Sequence, residues 1–181
     1  FIILFKTEIK RFNKIVSWDY SYYIFWVIFL KNFRENCEII AEVANAHCGD
    51  FFKLKELIKI VSNCGARNIK FQIFDPPKLL TRSHPDYDLL SSFCFDKNQW
   101  IEVGKLCEDY NLNVYCDIFD ETSLVISKCL NPIGIKIHST NIDDHDFLRI
   151  IANATNKVIL STGGSFYNEI KDAVDIIIEA N

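Results

Sequence analysis

The chain has 181 residues, the length of one ordinary domain, and 49% of them are hydrophobic, ample for a sizeable core and contrary to a disordered chain. A net charge of −4 gives no electrostatic ground for a nucleic-acid partner, because phosphate backbones are held by clustered Lys and Arg and the basic residues here are dispersed. The seven cysteines (37, 48, 64, 94, 107, 116 and 129) are odd in number and form no Cys-x-x-Cys pair, so neither a structural zinc nor a disulfide framework is suggested and a reducing cytoplasm is the natural setting.

No methionine occurs and the chain opens on Phe1, so the true start is expected to lie upstream. Residues 1–36 are expected to form an amino-terminal extension of unknown role. They contain nine apolar residues from Tyr22 to Leu30, "YYIFWVIFL", preceded by Asp19 and followed by Lys31 and Arg34. A bilayer span takes roughly 20 apolar residues, and an acid this close to the apolar run does not suit a signal peptide. The run is expected to be the tail of a preceding segment or an added helix, in preference to a membrane-associated helix or sequence that does not belong to the fold, and no membrane partner is expected.

From residue 37 onward, short β-branched runs alternate with helical periods. Ile39 to Ala44 reads as a first, buried strand carrying Glu42 in its middle and running into Asn45, His47 and Gly49. Asp50 can cap a helix whose Leu54, Leu57, Ile58 and Val61 recur at helical spacing, and Gly65 closes it. A second strand follows at Asn68 to Ile73, then a proline-containing loop over 74–97 and a helix with Trp100, Val103, Cys107 and Tyr110 on one face. Cys107 and Cys129 occupy positions where core-filling apolar groups are wanted. Further strands are expected at Asn113 to Asp117, Ile133 to Ile137 and Val158 to Leu160, with helices near 120–130, 144–153 and 167–180.

Repeated βα units with apolar strands predict a parallel sheet covered by helices. A dinucleotide-binding sheet would want Gly-x-Gly-x-x-Gly after a strand, which the sequence lacks. The expected fold is therefore an α/β (β/α)8 TIM barrel over 37–181, incomplete, with about five of the eight βα units that closure needs. Chemistry in such barrels sits at the carboxyl ends of the strands. There the sequence places Glu42, Asn45 and His47; Lys70 and Gln72; Asp117; Lys136, His138 and Ser139; and Ser161, Thr162, Gly163 and Gly164.

Alternation sends Lys70 and Gln72 to one face of their strand, and Lys136 and His138 to one face of theirs. Two ammonium groups at a low-dielectric mouth, beside hydroxyls and glycine N–H groups, make an anion site suited to phosphate or carboxylate. A single strand-end lysine is usually a solvated side chain; two at equivalent positions with a buried Glu are harder to dismiss. Glu42 and the lysines are expected to compensate one another or a ligand. His47 is expected to structure its loop, His138 is undecided, and no histidine pair has metal-ligand spacing.

In this order the segments resemble the sialic acid synthase family, which makes N-acetylneuraminate, legionaminate or pseudaminate and includes spore coat polysaccharide synthase-like members. "IAEVANAHCG" is similar to the family's "IAEIGxNHxG"; Lys70 to Gln72 matches "KFQ"; "IKIHSTN" is similar to "YKIxSGD" or "YKIxSGE"; and "ILSTGG" is similar to "ILSTGM". The resemblance covers about 37–181 and implies condensation of phosphoenolpyruvate with an N-acyl hexosamine such as N-acetylmannosamine. C3 of the enol attacks the sugar's aldehyde carbon, a divalent metal (Mn or Mg) polarises that aldehyde, and water adds at C2 before phosphate leaves. It implies that Lys70, Gln72, Lys136, Ser139 and Ser161 hold phosphoenolpyruvate or substrate, that Glu42 orients the acceptor, and that the metal ligands lie outside this chain. A homodimer is implied as well.

Four positions depart from the family pattern. The acidic residue after Lys-x-x-Ser-Gly is Asn141 here, and an amide cannot act as a base for water. The third-strand Thr is Asp117, which adds negative charge beside a phosphate site; the Gly before the first loop is Ala44; and the Asn before the histidine is Ala46. These departures leave a second reading, a degenerate or fragmentary barrel that binds a sugar or serves as an assembly part without turnover.

Overall fold

The computed structural model describes residues 2–4 and 38–180. The apolar run from Tyr22 to Leu30 and its charged flanks lie outside the described residues. Among the described residues no helix is long and apolar enough to cross a membrane.

A six-stranded sheet organises the described residues. In chain order the strands are β1 (Ile2–Leu4), β2 (Ile40–Glu42), β3 (Asn68–Ile73), β4 (Asn113–Ile118), β5 (Gly134–Ile137) and β6 (Val158–Ser161). Their spatial order is β1-β6-β5-β4-β3-β2. Strands β2 to β6 are parallel and curl into a half-barrel. Eight strands close a barrel of this type, so among the described residues it is incomplete, as the sequence predicts. β1 was not foreseen: its backbone pairs antiparallel with β6, Ile2 opposite Ser161 and Leu4 opposite Ile159.

Each crossover carries a helix, and in four of the helices the aspartate at the N-cap accepts a first-turn N–H with its side chain. Asp50 accepts from Lys53 N (3.1 Å) at the start of α1 (Phe51–Asn63). The 74–97 segment contains two short helices, α2 (Pro76–Leu79) and α3 (Tyr87–Ser91), before α4 (Lys97–Asp109). Asp96 and Gln99 form a reciprocal capping box at α4, both bonds 2.9 Å. Asp120 and Asp144 cap α5 (Glu121–Ser127) and α6 (His145–Ala154) through Ser123 N (2.7 Å) and Phe147 N (3.0 Å). The last helix is α7 (Tyr167–Ala180), where Glu169 accepts from Phe166 N at 2.7 Å. At the other end of α1, Gly65 takes φ +76° and the paired bonds Gly65 N to Ser62 O (2.9 Å) and Ala66 N to Val61 O (3.3 Å) form the glycine stop expected there.

Strand alternation separates two chemistries. Ile69, Phe71 and Ile73 of β3, Val114, Cys116 and Ile118 of β4, Ile135 and Ile137 of β5, and Val158 and Leu160 of β6 are all buried in one cluster with helix residues Leu54, Ile58, Trp100, Val103, Cys107, Leu148 and Ile151. Phe71 meets Trp100 edge to face at 5.8 Å. Cys107 fills the core as expected, and burial pushes its thiol up to about 12; Cys129 packs partly buried against the same cluster. The other face of the sheet carries Lys70, Gln72, Tyr115, Asp117 and Lys136. Its packing is close: a Cβ on Gly134 would lie 2.6 Å from Tyr115 Cε1, the ring on its register neighbour.

The first strand is shorter than expected, Ile40–Glu42 in place of Ile39 to Ala44. Ala44 takes φ +44° and starts the turn that runs through His47, which ends the extended conformation even though Val43 N still bonds Lys70 O at 3.0 Å. Nor is the strand buried. β2 has one sheet neighbour among the described residues, and the Glu42 side chain is 41% exposed.

A left-handed alanine carries a steric cost that glycine avoids. Ala44→Gly is therefore expected to raise the unfolding free energy by about 0.5–1 kcal/mol after glycine's larger unfolded-state entropy is subtracted. Urea denaturation of the two proteins checks this, and a loss of stability would contradict it.

Candidate active site

The mouth of the half-barrel is built from the carboxyl ends of β3 to β6. In-register pairing aligns the inner face into rows: Glu42, Lys70, Tyr115 and Gly134 in one, and Gln72, Asp117, Lys136 and Ile159 in the next. Beyond the strand ends come Phe119, then His138 with the turn Ser139–Asn141, and Thr162 to Gly164. Lys70, Gln72, Asp117 and Lys136 thus share one face, as alternation predicts.

Both lysines are already paired. Lys70 Nζ bonds Glu42 Oε2 at 2.6 Å, with the lysine side chain 9% exposed. Lys136 Nζ bonds Asp117 Oδ2. Asp117 is completely buried, and its Oδ1 has no hydrogen-bond partner among the described residues. The expected compensation of Glu42 with a lysine holds at Lys70; Lys136 is instead neutralised by Asp117, which the sequence places only as added negative charge. The mouth therefore holds two neutralised ion pairs in place of two bare ammonium groups.

The hydroxyls lie around these pairs. A Cβ on Gly163 would stand 3.7 Å from Ser139 Oγ, which puts the loop after β5 against the loop after β6. Ser161 ends β6, half-buried. The structure does not give Asn141 the posture of a base. Its Nδ2 donates to Phe119 O at 3.3 Å and its Oδ1 accepts from Thr140 Oγ1 at 3.3 Å, so the amide ties the turn after β5 to the end of β4.

Neither histidine fits a metal. His47 is buried, its Nδ1 accepts from Gly49 N at 3.0 Å, and its ring packs 4.8 Å from Phe95. This is the loop-structuring role expected of it. His138 lies 4.9 Å from the Phe119 ring with Nδ1 3.1 Å from Thr140 Oγ1. Asp117 carries a spare buried oxygen, but the ammonium of Lys136 on its other oxygen opposes a cation there. No group of three or more His, Cys, Asp or Glu able to hold a metal ion occurs among the described residues. The described residues therefore do not fit a divalent metal.

Sequence reasoning missed Tyr115 and Lys157. Tyr115 lies in the row of Lys70, its hydroxyl bonded to Lys157 Nζ, and the ammonium also stands 4.8 Å from the ring centroid. The period-2 pattern that identifies Asp117 also places Tyr115 inward, so the signal was available two residues upstream.

A family model described as the NeuB family matches residues 57–181. The chain belongs to the NeuB family. It is 31% identical over 156 residues to an N,N'-diacetyllegionaminic acid synthase of Campylobacter jejuni, covering 77% of this chain and 46% of that one. It is 27% identical over 155 residues to an N-acetylneuraminate-9-phosphate synthase of Drosophila melanogaster, covering 78% and 42%. Among solved structures it resembles the N-acetylneuraminic acid (sialic acid) synthetase of Leptospira borgpetersenii, crystallised in complex with citrate, with a TM-score of 0.74 and 26% identity over 79% of this chain and 50% of that one. The chain thus spans under half the length of these two curated NeuB-type relatives, and its fold is that of the TIM-barrel-like synthases.

Burial holds the His47 imidazole below its ordinary value of 6.5, and the charge of Lys53 adds to this, against a smaller opposing effect of a hydrogen bond to the Ala44 backbone. As pH falls, the unfolded chain binds this proton first. The stability contributed by the neutral ring is therefore complete above about pH 6.5 and is lost as pH drops from there towards the folded value. His47→Asn keeps an acceptor for Gly49 and cannot titrate, so its unfolding free energy should fall less steeply than the parent's between about pH 6.5 and 5. Urea denaturation across that range measures the difference, and parallel slopes would overturn the assignment.

Proposed function

We propose that this chain forms the phosphoenolpyruvate-holding part of a sialic-type synthase that condenses phosphoenolpyruvate with an N-acyl hexosamine and releases phosphate. The observation that carries the reading is the set of Lys70, Gln72, Asp117 and Lys136 on one face of in-register parallel strands, with Ser139 and Ser161 at the mouth, in a chain of the NeuB family. The overall reaction joins C3 of phosphoenolpyruvate to the sugar's aldehyde carbon, whose oxygen gains a proton. Water adds at C2, and phosphate departs with the bridging oxygen.

The residues of this chain bind and orient. Lys70 supplies the charge for one anionic group of phosphoenolpyruvate, while the hydroxyls of Ser139 and Ser161 and the amide of Gln72 supply directed donors. Glu42 bonds Lys70 through Oε2 and accepts from Ala44 N through Oε1 at 3.2 Å, and its side chain is 41% exposed, so its open edge can accept further from sugar hydroxyls and set the acceptor beside the enol. The 74–97 segment, with α2 and α3, lies after β3 where acceptor selectivity would be set.

Phosphate release from phosphoenolpyruvate by the full protein, with an N-acyl hexosamine and divalent metal supplied, tests this reading. Lys70→Ala is expected to weaken phosphoenolpyruvate binding by roughly 30-fold or more, the usual effect of removing one partner of a desolvated charged contact. No phosphate release from the folded protein with any N-acyl hexosamine would sink the synthase reading.

A second reading, a barrel that binds without turnover, is favoured by two specific observations. Asp117 occupies Lys136, and the residue at the family's acidic position is an amide engaged with the Phe119 backbone. On that reading Asn141→Glu stays inactive, because more than the missing base has changed. Phosphate release gained by this single substitution would count against it.

A further inference from the structure

The two ion pairs at the mouth differ in how readily they open. Glu42 sits on β2, which has one sheet neighbour among the described residues, and its side chain is 41% exposed. When an anion takes its place on Lys70, the carboxylate keeps its bond from Ala44 N (3.2 Å) and its freed oxygen can turn to water, which limits the cost. Asp117 has no such route. It lies on β4 between β3 and β5, in register with Gln72 on one side and Lys136 on the other, and its side chain is 0% exposed. One of its oxygens already lacks a partner among the described residues. Stripping Lys136 from the other would leave a fully buried carboxylate bare, among the costliest states a protein interior can hold.

We propose that Asp117 withholds Lys136 from ligands, so that this mouth grips one anionic group, at Lys70, and that Asp117 is the residue setting this specificity. The inference rests on the reading of the mouth as an anion site. An anion approaching Lys136 meets a pair of zero net charge and a carboxylate next to the ammonium it seeks. The ligand class that fits is an anion with one charged group at Lys70.

Phosphoenolpyruvate, which carries two anionic groups, and inorganic phosphate, which carries one, separate the possibilities when each is titrated calorimetrically into the full chain. In the unaltered protein phosphoenolpyruvate is expected to bind no more than about threefold tighter than phosphate. Asp117→Asn keeps the shape and removes the charge. It should tighten phosphoenolpyruvate at least about tenfold while phosphate changes by less than about threefold, and the gain should vanish when Lys136→Met is added. Asp117→Thr serves as a second variant should the first fold poorly.

A measurement on the unaltered chain stands beside these. Phosphoenolpyruvate should slow chemical modification of the Lys70 amine, mapped by peptide mass, and leave the rate at Lys136 unchanged. Equal shielding of both lysines, or folded Asp117 variants that bind phosphoenolpyruvate no tighter than the parent, would overturn the proposal and leave the synthase reading standing. Failure of either anion to bind the parent or the variants would remove the anion site, and this proposal with it.

Discussion

Every side chain on β3 to β6 is committed to one of two faces by backbone alternation, and in-register pairing carries that commitment from strand to strand. Ile69, Val114 and their apolar counterparts go to the helices. Lys70, Tyr115, Asp117 and Lys136 go to the other side together. A one-residue slip in β3 or β5 would put an ammonium into the helix-packed core and an isoleucine into the mouth. Core and site are therefore products of a single constraint, and the steric fit of Tyr115 over Gly134 helps fix the register between β4 and β5.

Much of the fold was legible because its signals are local. Helical spacing, aspartate caps and the glycine after α1 each act within a few residues of chain, and strands rich in β-branched residues identify themselves. The first strand was misjudged because burial depends on neighbours. An apolar run looks the same in sequence whether one or two strands flank it, and among the described residues Glu42 lies on a strand with one neighbour, its side chain 41% exposed. β1 was hidden for a related reason. Three apolar residues carry no period, and their partner in β6 is remote in sequence.

The site was legible in its membership and less so in its state. Alternation identified which side chains share the mouth, and the resemblance of "IKIHSTN" and "ILSTGG" to a known family supplied an order that single residues lack. What sequence could not show is that Asp117 and Lys136, on adjacent strands and in register, would consume one another's charge. Asp117 was read as an added negative charge beside a phosphate site. In the fold it subtracts a positive one. The distinction matters because a buried pair and a buried free ammonium present opposite faces to a ligand, although their composition differs by one residue.

The aspartate caps have a consequence for binding as well as for folding. In a parallel barrel the helices that follow the strands start at the mouth, and their positive ends would ordinarily draw anions towards it. Here Asp50, Asp96, Asp120 and Asp144 occupy those ends, with Glu169 at the last helix. A first-turn N–H at each of four helix ends is thus spent on the protein's own carboxylate, so side chains are left to receive an anion at this mouth where helix termini otherwise would.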